Sequence, residues 1–449
     1  MRKLLLIFIL FPCIFKSQAQ WESQVTGFNP SRGISQIVPV SQTVVWASGF
    51  DPASILNKCR DYCHTSDGGN TWTSATLTSA ANASNWSCIT AVDENNAWAM
   101  FNKTTGAGGS VWHTSDGGTT WTQQGAGQIY AGSTSFPDVM NFWDADTGVA
   151  VGDPLNGEFE IYTTVDGGAT WTAVNGDSIP DPISGEYGFT RSIAVYKNVI
   201  WFGTNMGRLY KSTNRGLSWN VYDTGLSSDG IYQIVFIDEE NGYVELYDGT
   251  GAFVSLLRTT DGGNTWTDIS PSANFFVYYG LCYVPKTTNT LVSAGYDPIT
   301  FVYGSSYSLD GGDTWTTIDD SVIHLAVSFY DNITGWSGDV NSDVSTGGMW
   351  KYSSGFVATG VENSNTNFKF NLYPNPGDGL FYFSFDAQNT EPIHIIITDA
   401  MGKIVFNQDY KDKSQTWLRS IDLRHLSKGV YFLKMENNGQ QTSRKLVIE

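Results

Sequence analysis

The chain has 449 residues, with 44 acidic against 25 basic side chains and a formal net charge of −19. That length holds two or three domains, and that charge excludes nucleic-acid binding, which needs a basic face. Aromatic residues make up 14% of the chain and charged residues only 15%, which suits an all-β protein whose sheets pack on rings.

Taken from the start, Arg2 and Lys3 precede an apolar run from Leu4 to Phe15, and Ser17-Gln18-Ala19 is a small-x-small cleavage site. Residues 1–19 read as a secretory signal peptide cleaved near Ala19. The run falls short of the roughly 20 residues of a membrane span, and no other apolar segment is long enough. Cys13 lacks the preceding small residues of a lipoprotein signal. The mature chain would begin at Gln20.

Six copies of one phrase follow. The first is Ser66-Asp67-Gly68-Gly69-Asn70-Thr71-Trp72, and the others span 115–121, 165–171, 213–219, 260–266 and 309–315, with steps of 49, 50, 48, 47 and 49 residues. A fixed period of that size with β-type sequence between copies predicts a β-propeller, one blade per repeat. In each copy the acid can accept backbone N–H groups while the glycines take positive φ. The Trp then starts a strand and can pack between blades. The turn acids are Asp67, Asp116, Asp166, Asn214, Asp261 and Asp310; the rings are Trp72, Trp121, Trp171, Trp219, Trp266 and Trp315. All twelve read as structural, and Asn214 can replace Asp as an acceptor.

Upstream of the boxes lies an apolar strand, a polar turn and a second apolar strand, at 37–49, 89–101, 139–152, 193–203, 234–246, 281–295 and 326–338. Seven such phrases stand against six boxes. The seventh has a third strand near 348–352 and no fourth. Trp21-Glu22-Ser23-Gln24-Val25 resembles the strand that follows a box and can supply it. The expectation is a seven-bladed propeller over 20–352 closed by this N-terminal strand, which removes exposed sheet edges. Six blades is the alternative.

Ligands of propellers usually meet the loops leading into the innermost strands, read here as 27–33, 81–86, 131–138, 181–191, 225–232, 273–280 and 319–324. Those loops carry the candidate binding residues Arg32, Trp86, Asp138, Tyr187, Arg191, Tyr232, Tyr279 and His324. Aromatic rings beside acids suit a glycan or a peptide. Loops after the second strands add Asp51, Asp153 and Asp297, so a two-carboxylate glycosidase stays open, with Asp138 a further candidate. Cys59 and Cys63, placed in one loop, suggest a local disulfide in an oxidising compartment. No second pair with ligand spacing exists, so no metal site and no cofactor is assigned. Calcium is compatible with the acidic chain, although no motif indicates it. His64 and His113 share one repeat position before a box, which makes them strand residues.

A polar linker, 353–367, leads to Leu372-Tyr373-Pro374-Asn375-Pro376-Gly377, then Asp399-Ala400-Met401-Gly402-Lys403, then Gly429-Val430-Tyr431-Phe432 and a final Lys445-Leu446-Val447. Short alternating strands between Gly, Asn and Asp predict a small β-sandwich over 368–449.

The box resembles the Asp-box, or BNR repeat, of sialidases, photosystem II assembly-factor-like propellers and xyloglucanase-type propellers. That resemblance implies a structural turn between the outer strands, away from the ligand face. The C-terminal order of motifs is similar to the type A sorting domain of the type IX secretion system of Bacteroidetes. This implies the secretion machinery as a partner and a secreted or surface location reached via the periplasm. Sialidase chemistry would need three convergent arginines, a Tyr–Glu nucleophile pair and an acid Asp. Only Arg32 and Arg191 lie at mouth loops, with Arg208, Arg215 and Arg258 assigned to the box side, and no Phe-Arg-Ile-Pro segment occurs. Fold kinship does not fix function. The expected role is a monomeric, non-catalytic module binding an extracellular protein or glycan. The alternative is a glycoside hydrolase or lyase using channel-face carboxylates.

Overall fold

Each repeat folds into a four-stranded antiparallel sheet, and the described residues form seven of these. A computed structural model describes residues 20–356 except 55–56, 82–83, 104–107, 273–274, 276–277 and 298–300. It also describes 370–448 except 387–392, 400–402, 411–415 and 438–439. The proposed signal peptide and most of the expected linker lie outside these residues.

The innermost strands are Gly33–Pro39, Ser84–Ala91, Pro137–Phe142, Gly188–Tyr196, Gly230–Phe236, Tyr278–Tyr283 and Ala326–Asp331. Each touches the next around a ring, and the seventh touches the first. In six blades the strands run outward in chain order. In the seventh, Trp21–Val25 supplies the outermost strand, with Trp21 opposite Tyr352 and Val25 opposite Gly348. The predicted seven blades and N-terminal closure are therefore present. Trp21 secures the closure by donating Nε1–H to Ser305 Oγ of blade six at 2.9 Å.

Second strands such as Val45–Phe50 and Val199–Thr204 are nearly all apolar because both faces are buried. Their tryptophans Trp46, Trp98, Trp201 and Trp336 are completely buried. Trp98 stacks on Phe142 of the following blade at 3.8 Å, and Trp201 on Phe236 at 3.9 Å. A buried aromatic removes about 150–250 Å² from water, so the cores lie between blades. His64 and His113 are strand residues stacked on Trp46 and Trp98.

The boxes repeat one set of bonds. Asp67 Oδ1 accepts from Thr71 N and Thr65 Oγ1, while Oδ2 accepts from Thr71 Oγ1. Gly68 and Gly69 hold φ of 74° and 85°, where a side chain is strained. In the fourth copy Asn214 Oδ1 still accepts from Ser218 N, but its Nδ2 now donates to Ser218 Oγ. The box rings pack toward the preceding blade: Trp171 lies with Trp98 and Met100, and Trp219 with Val149 and Val151.

The second compact unit is a sandwich of two sheets. One contains Phe370–Tyr373, Leu380–Asp386 and Thr416–Asp422; the other contains Ile404–Tyr410, Ile393–Asp399, Gly429–Asn437 and Gln440–Ile448. Phe381, Phe383, Ile395, Ile397, Leu433 and Leu446 fill its core. Asn375 fastens the last strand, donating Nδ2–H to the Lys445 carbonyl and accepting from Val447 N.

Candidate functional site at the channel mouth

Five of the seven innermost strands carry a one-residue bulge near the start: Ser35, Ser87, Asp138, Tyr232 and Tyr279 are each skipped in the pairing with the second strand. Register also shifts between Gly188 and Ile193 in blade four. A bulge leaves a residue unpaired and re-aims its neighbours. Here the bulges form a ring around the channel. Hydroxyls tie the ring together: Ser87 donates to the Pro137 carbonyl at 2.6 Å, and Ser192 to the Ile231 carbonyl at 2.7 Å.

Two cavities open at this ring. The larger, about 470 Å³, runs into the channel and is lined by Ser35, Gln36, Arg191, Tyr232, Gln233, Tyr247 and Ser328 among others. The smaller, about 300 Å³, is lined by Ser35, Phe50, Asn85, Trp86, Asn102, Phe136, Thr190 and Arg191. Arg191 borders both. Its backbone holds φ +70°, and its guanidinium donates to the Ser35 carbonyl at 2.6 Å, reaching from blade four to blade one. Tyr232 is 40% exposed; its ring stacks on Phe189 at 4.2 Å and meets Tyr247 at 5.0 Å. Tyr187 is exposed beside Phe189, at 5.6 Å.

The remaining candidates are engaged in the packing and bonding of the blades or lie outside the described side chains. Arg32 is held by Asp61 and lies 3.8 Å from Asp51. Trp86 is largely buried on Phe101 and donates to the Asp61 carbonyl at 3.1 Å, so only its edge reaches the cavity. His324 is completely buried, bonded to Ser337 Oγ at 2.6 Å and Asp319 at 3.0 Å. The backbone of Tyr279 sits at a bulge, and its side chain lies outside the described residues. Arg208 lies on the mouth side and not the box side, paired with buried Glu186.

The expected Cys59–Cys63 disulfide is absent; both thiols are free. Cys63 lies in the strand Asp61–Thr65 and packs with Phe28 and Ile34, while Cys59 Sγ faces Asp61 at 3.6 Å. Extended chain separates residues four apart by about 13 Å, twice the reach of a disulfide. Burial pushes the Cys59 thiol up to about 12, which keeps it protonated.

Asp138 and Asp153 meet over Gly188. Asp153 Oδ1 accepts from Gly188 N at 2.9 Å, and a Cβ at Gly188 would stand 2.5 Å from Asp138 Oδ2. Asp138 is buried, with no N–H donor on either oxygen. Burial first, then the neighbouring Asp153, raises it well above the usual carboxylate range. Burial pushes Asp153 up to about 6. Of two neighbouring carboxyls, the more deeply buried one keeps the proton, which here is Asp138. Neither lines either cavity. Asp51 is engaged by Ala53 N, Asn57 and Arg32. Among the described residues, no group of three or more His, Cys, Asp or Glu is arranged to hold a metal ion, and no helix is long and apolar enough to cross a membrane.

Seven blades, Asp-box turns and a bulge-ringed channel define a β-propeller of the kind seen in several known proteins, joined here to a separate sandwich. Residues 371–449 match the family described as "Secretion system C-terminal sorting domain", so the chain carries that sorting domain. Such a domain addresses its protein to the type IX secretion machinery, and so to the cell surface or beyond. A xyloglucanase from Paenibacillus sp. is 34% identical over 128 residues, which cover 24% of this chain and only 12% of that relative. The solved structure of YCF48 bound to D1 peptide superposes with a TM-score of 0.52 at 16% identity, covering 75% of this chain and 98% of that one. A xyloglucanase from Xanthomonas campestris gives a TM-score of 0.30 at 14% identity, over 90% of this chain and 66% of that one. At 16% identity the likeness to YCF48 is one of fold.

Proposed function

We propose that the chain is a non-catalytic binding module whose propeller, residues 20–352, takes an extracellular protein or glycan at the channel mouth. On this reading residues 1–19 are a cleaved signal peptide, 353–367 a linker, and 368–449 the export address; the mature protein acts as a monomer. The observation that supports it most is the lining of the two cavities. Hydroxyls, amides and rings converge there on Arg191, while the nearby carboxyl pair lies outside both cavities. Polar groups converging in a largely pre-formed concave site are what a binding pocket uses.

The neighbouring carboxyls of Asp138 and Asp153 favour a second reading, a glycoside hydrolase or lyase, because a carboxyl kept neutral beside an ionised one is an acid–base arrangement. Its weakness is access: Asp138 is only 1% exposed. A glycan and peptide array probed with the secreted protein, with product analysis of each hit, tests both readings. Intact bound ligand supports the module. Cleaved ligand, with turnover abolished in Asp138→Asn, supports the enzyme.

A further inference from the structure

We propose that the channel mouth binds the carboxylate of an acidic, uronate-bearing glycan, with Arg191 as the anchor of the acid and Tyr232 as the platform for a sugar ring. This inference rests on the binding-module reading and names its ligand class.

Arg191 is the one charged residue among the described residues that line the two cavities. A guanidinium offers five N–H donors in a planar fork that matches a carboxylate. Its left-handed backbone is uncommon for a residue with a side chain. Such conformations persist where the surroundings hold them, and they cluster at binding sites. Here the bond to the Ser35 carbonyl and the shifted register of Gly188–Tyr196 hold it.

Tyr232 lines the same cavity as Arg191. Its ring is held by Phe189 and Tyr247 and stays 40% exposed, so a fixed aromatic surface remains for a sugar ring. In the adjoining cavity Asn85, Asn102 and Thr190 can each donate and accept, as a ligand dense in hydroxyls requires. An acidic peptide would satisfy the arginine but makes less use of these groups.

The net charge of −19 points the other way, toward cations. Distance decides between them. The box turns bond the hairpins between first and second strands, through Gly117 to Asn95, Gly167 to Asp146 and Gly262 to Glu240. The box aspartates therefore sit at the strand ends opposite the mouth, one strand length, or about 20 Å, away. Screening acts over about 8 Å at physiological ionic strength, so the box acids do not reach the mouth. On the mouth side, Asp51 and Glu186 lie beside Arg32 and Arg208, and Asp138 and Asp153 lie outside both cavities, which leaves Arg191 as the charge on the lining.

The test is titration of the full-length secreted protein, at physiological salt, with polygalacturonate, its fully methyl-esterified form, xyloglucan and polyglutamate. Polygalacturonate should bind, with esterification and R191Q each weakening it by about tenfold or more, as expected for a lost charge-assisted bond. R191K should fall between, and Y232A should weaken every glycan that binds. Equal binding of the esterified chain or xyloglucan would overturn the acidic class while leaving a glycan-binding mouth. Preference for polyglutamate would overturn the glycan. Affinity unchanged in both R191Q and Y232A would remove the mouth itself as the binding face, and no binding to any of the four probes would defeat the inference. If R191Q fails to fold, the comparison of free and esterified polymer on the unmodified protein decides alone.

Discussion

Asp310 shows how one carboxylate organises a turn. Its oxygens accept from Thr314 N, Thr314 Oγ1 and Ser308 Oγ at 2.6–2.9 Å. Burial works against its charge, but the Thr314 bonds outweigh it and hold the acid below its usual range. Asp310→Ala should cost about 1 kcal/mol by analogy with lost helix caps, measured by chemical denaturation. Asp310→Asn should cost less, because Asn214 serves the same turn in the fourth blade. At Asp67, hydrogen bonds led by Thr71 Oγ1 bring the acid to about 2. A depressed folded value stabilises above the ordinary carboxylate pKa of about 4. That contribution is lost as pH falls from about 4 to 2, and melting temperature should drop across that window. Asp153 has the opposite sign. Raised to about 6, it is accommodated at low pH, and stability is lost as pH climbs from about 4 through 6. Asp153→Asn should melt higher than the parent at pH 7 and equally at pH 4. A lower melting point at both would contradict the burial cost carried by the Asp153 carboxylate.

At the scale of the element, the strand Trp21–Val25 closes the ring by pairing with Gly348–Tyr352. Deleting it should lower the melting temperature sharply and leave an unpaired edge prone to association. Unchanged melting would mean that the ring closes without it. Trp171→Ala should destabilise by about 3–5 kcal/mol, the range for a large buried ring, since Trp171 sits in the core shared by blades two and three. These elements were legible because a box and a strand are local patterns. The mouth was less so. Bulges at Asp138, Tyr232 and Tyr279 shift the two-residue alternation by one, and such a slip moves every later side chain to the other face. Counting along the sequence found Arg191 and Tyr232, but it also drew in His324 and Trp86, whose ring nitrogens are bonded inside the fold to Ser337, Asp319 and the Asp61 carbonyl. Cys63, expected in a loop, lies in the strand Asp61–Thr65, where no bulge interrupts the pairing.

For the whole molecule, two architectures were readable from repeats and motifs, because each motif has a fixed structural task. Asn375 of the Tyr-Pro-Asn-Pro run pins the final strand, and Leu446 and Ile448 of the chain end fill the core. The ligand was not readable, because it depends on side chains from several blades meeting at one mouth. Removing residues 357–449 should leave the propeller folded but retained in the periplasm, as followed by cell fractionation; normal export of the truncation would contradict the sorting role of that domain. The central claim is that binding happens at the channel mouth and not at the box face. Hydrogen exchange of the full-length protein, with and without saturating polygalacturonate, tests it most directly. Protection confined to 33–39, 188–196 and 230–236 is the expected result. Protection at the box turns, with those strands unchanged, would contradict it.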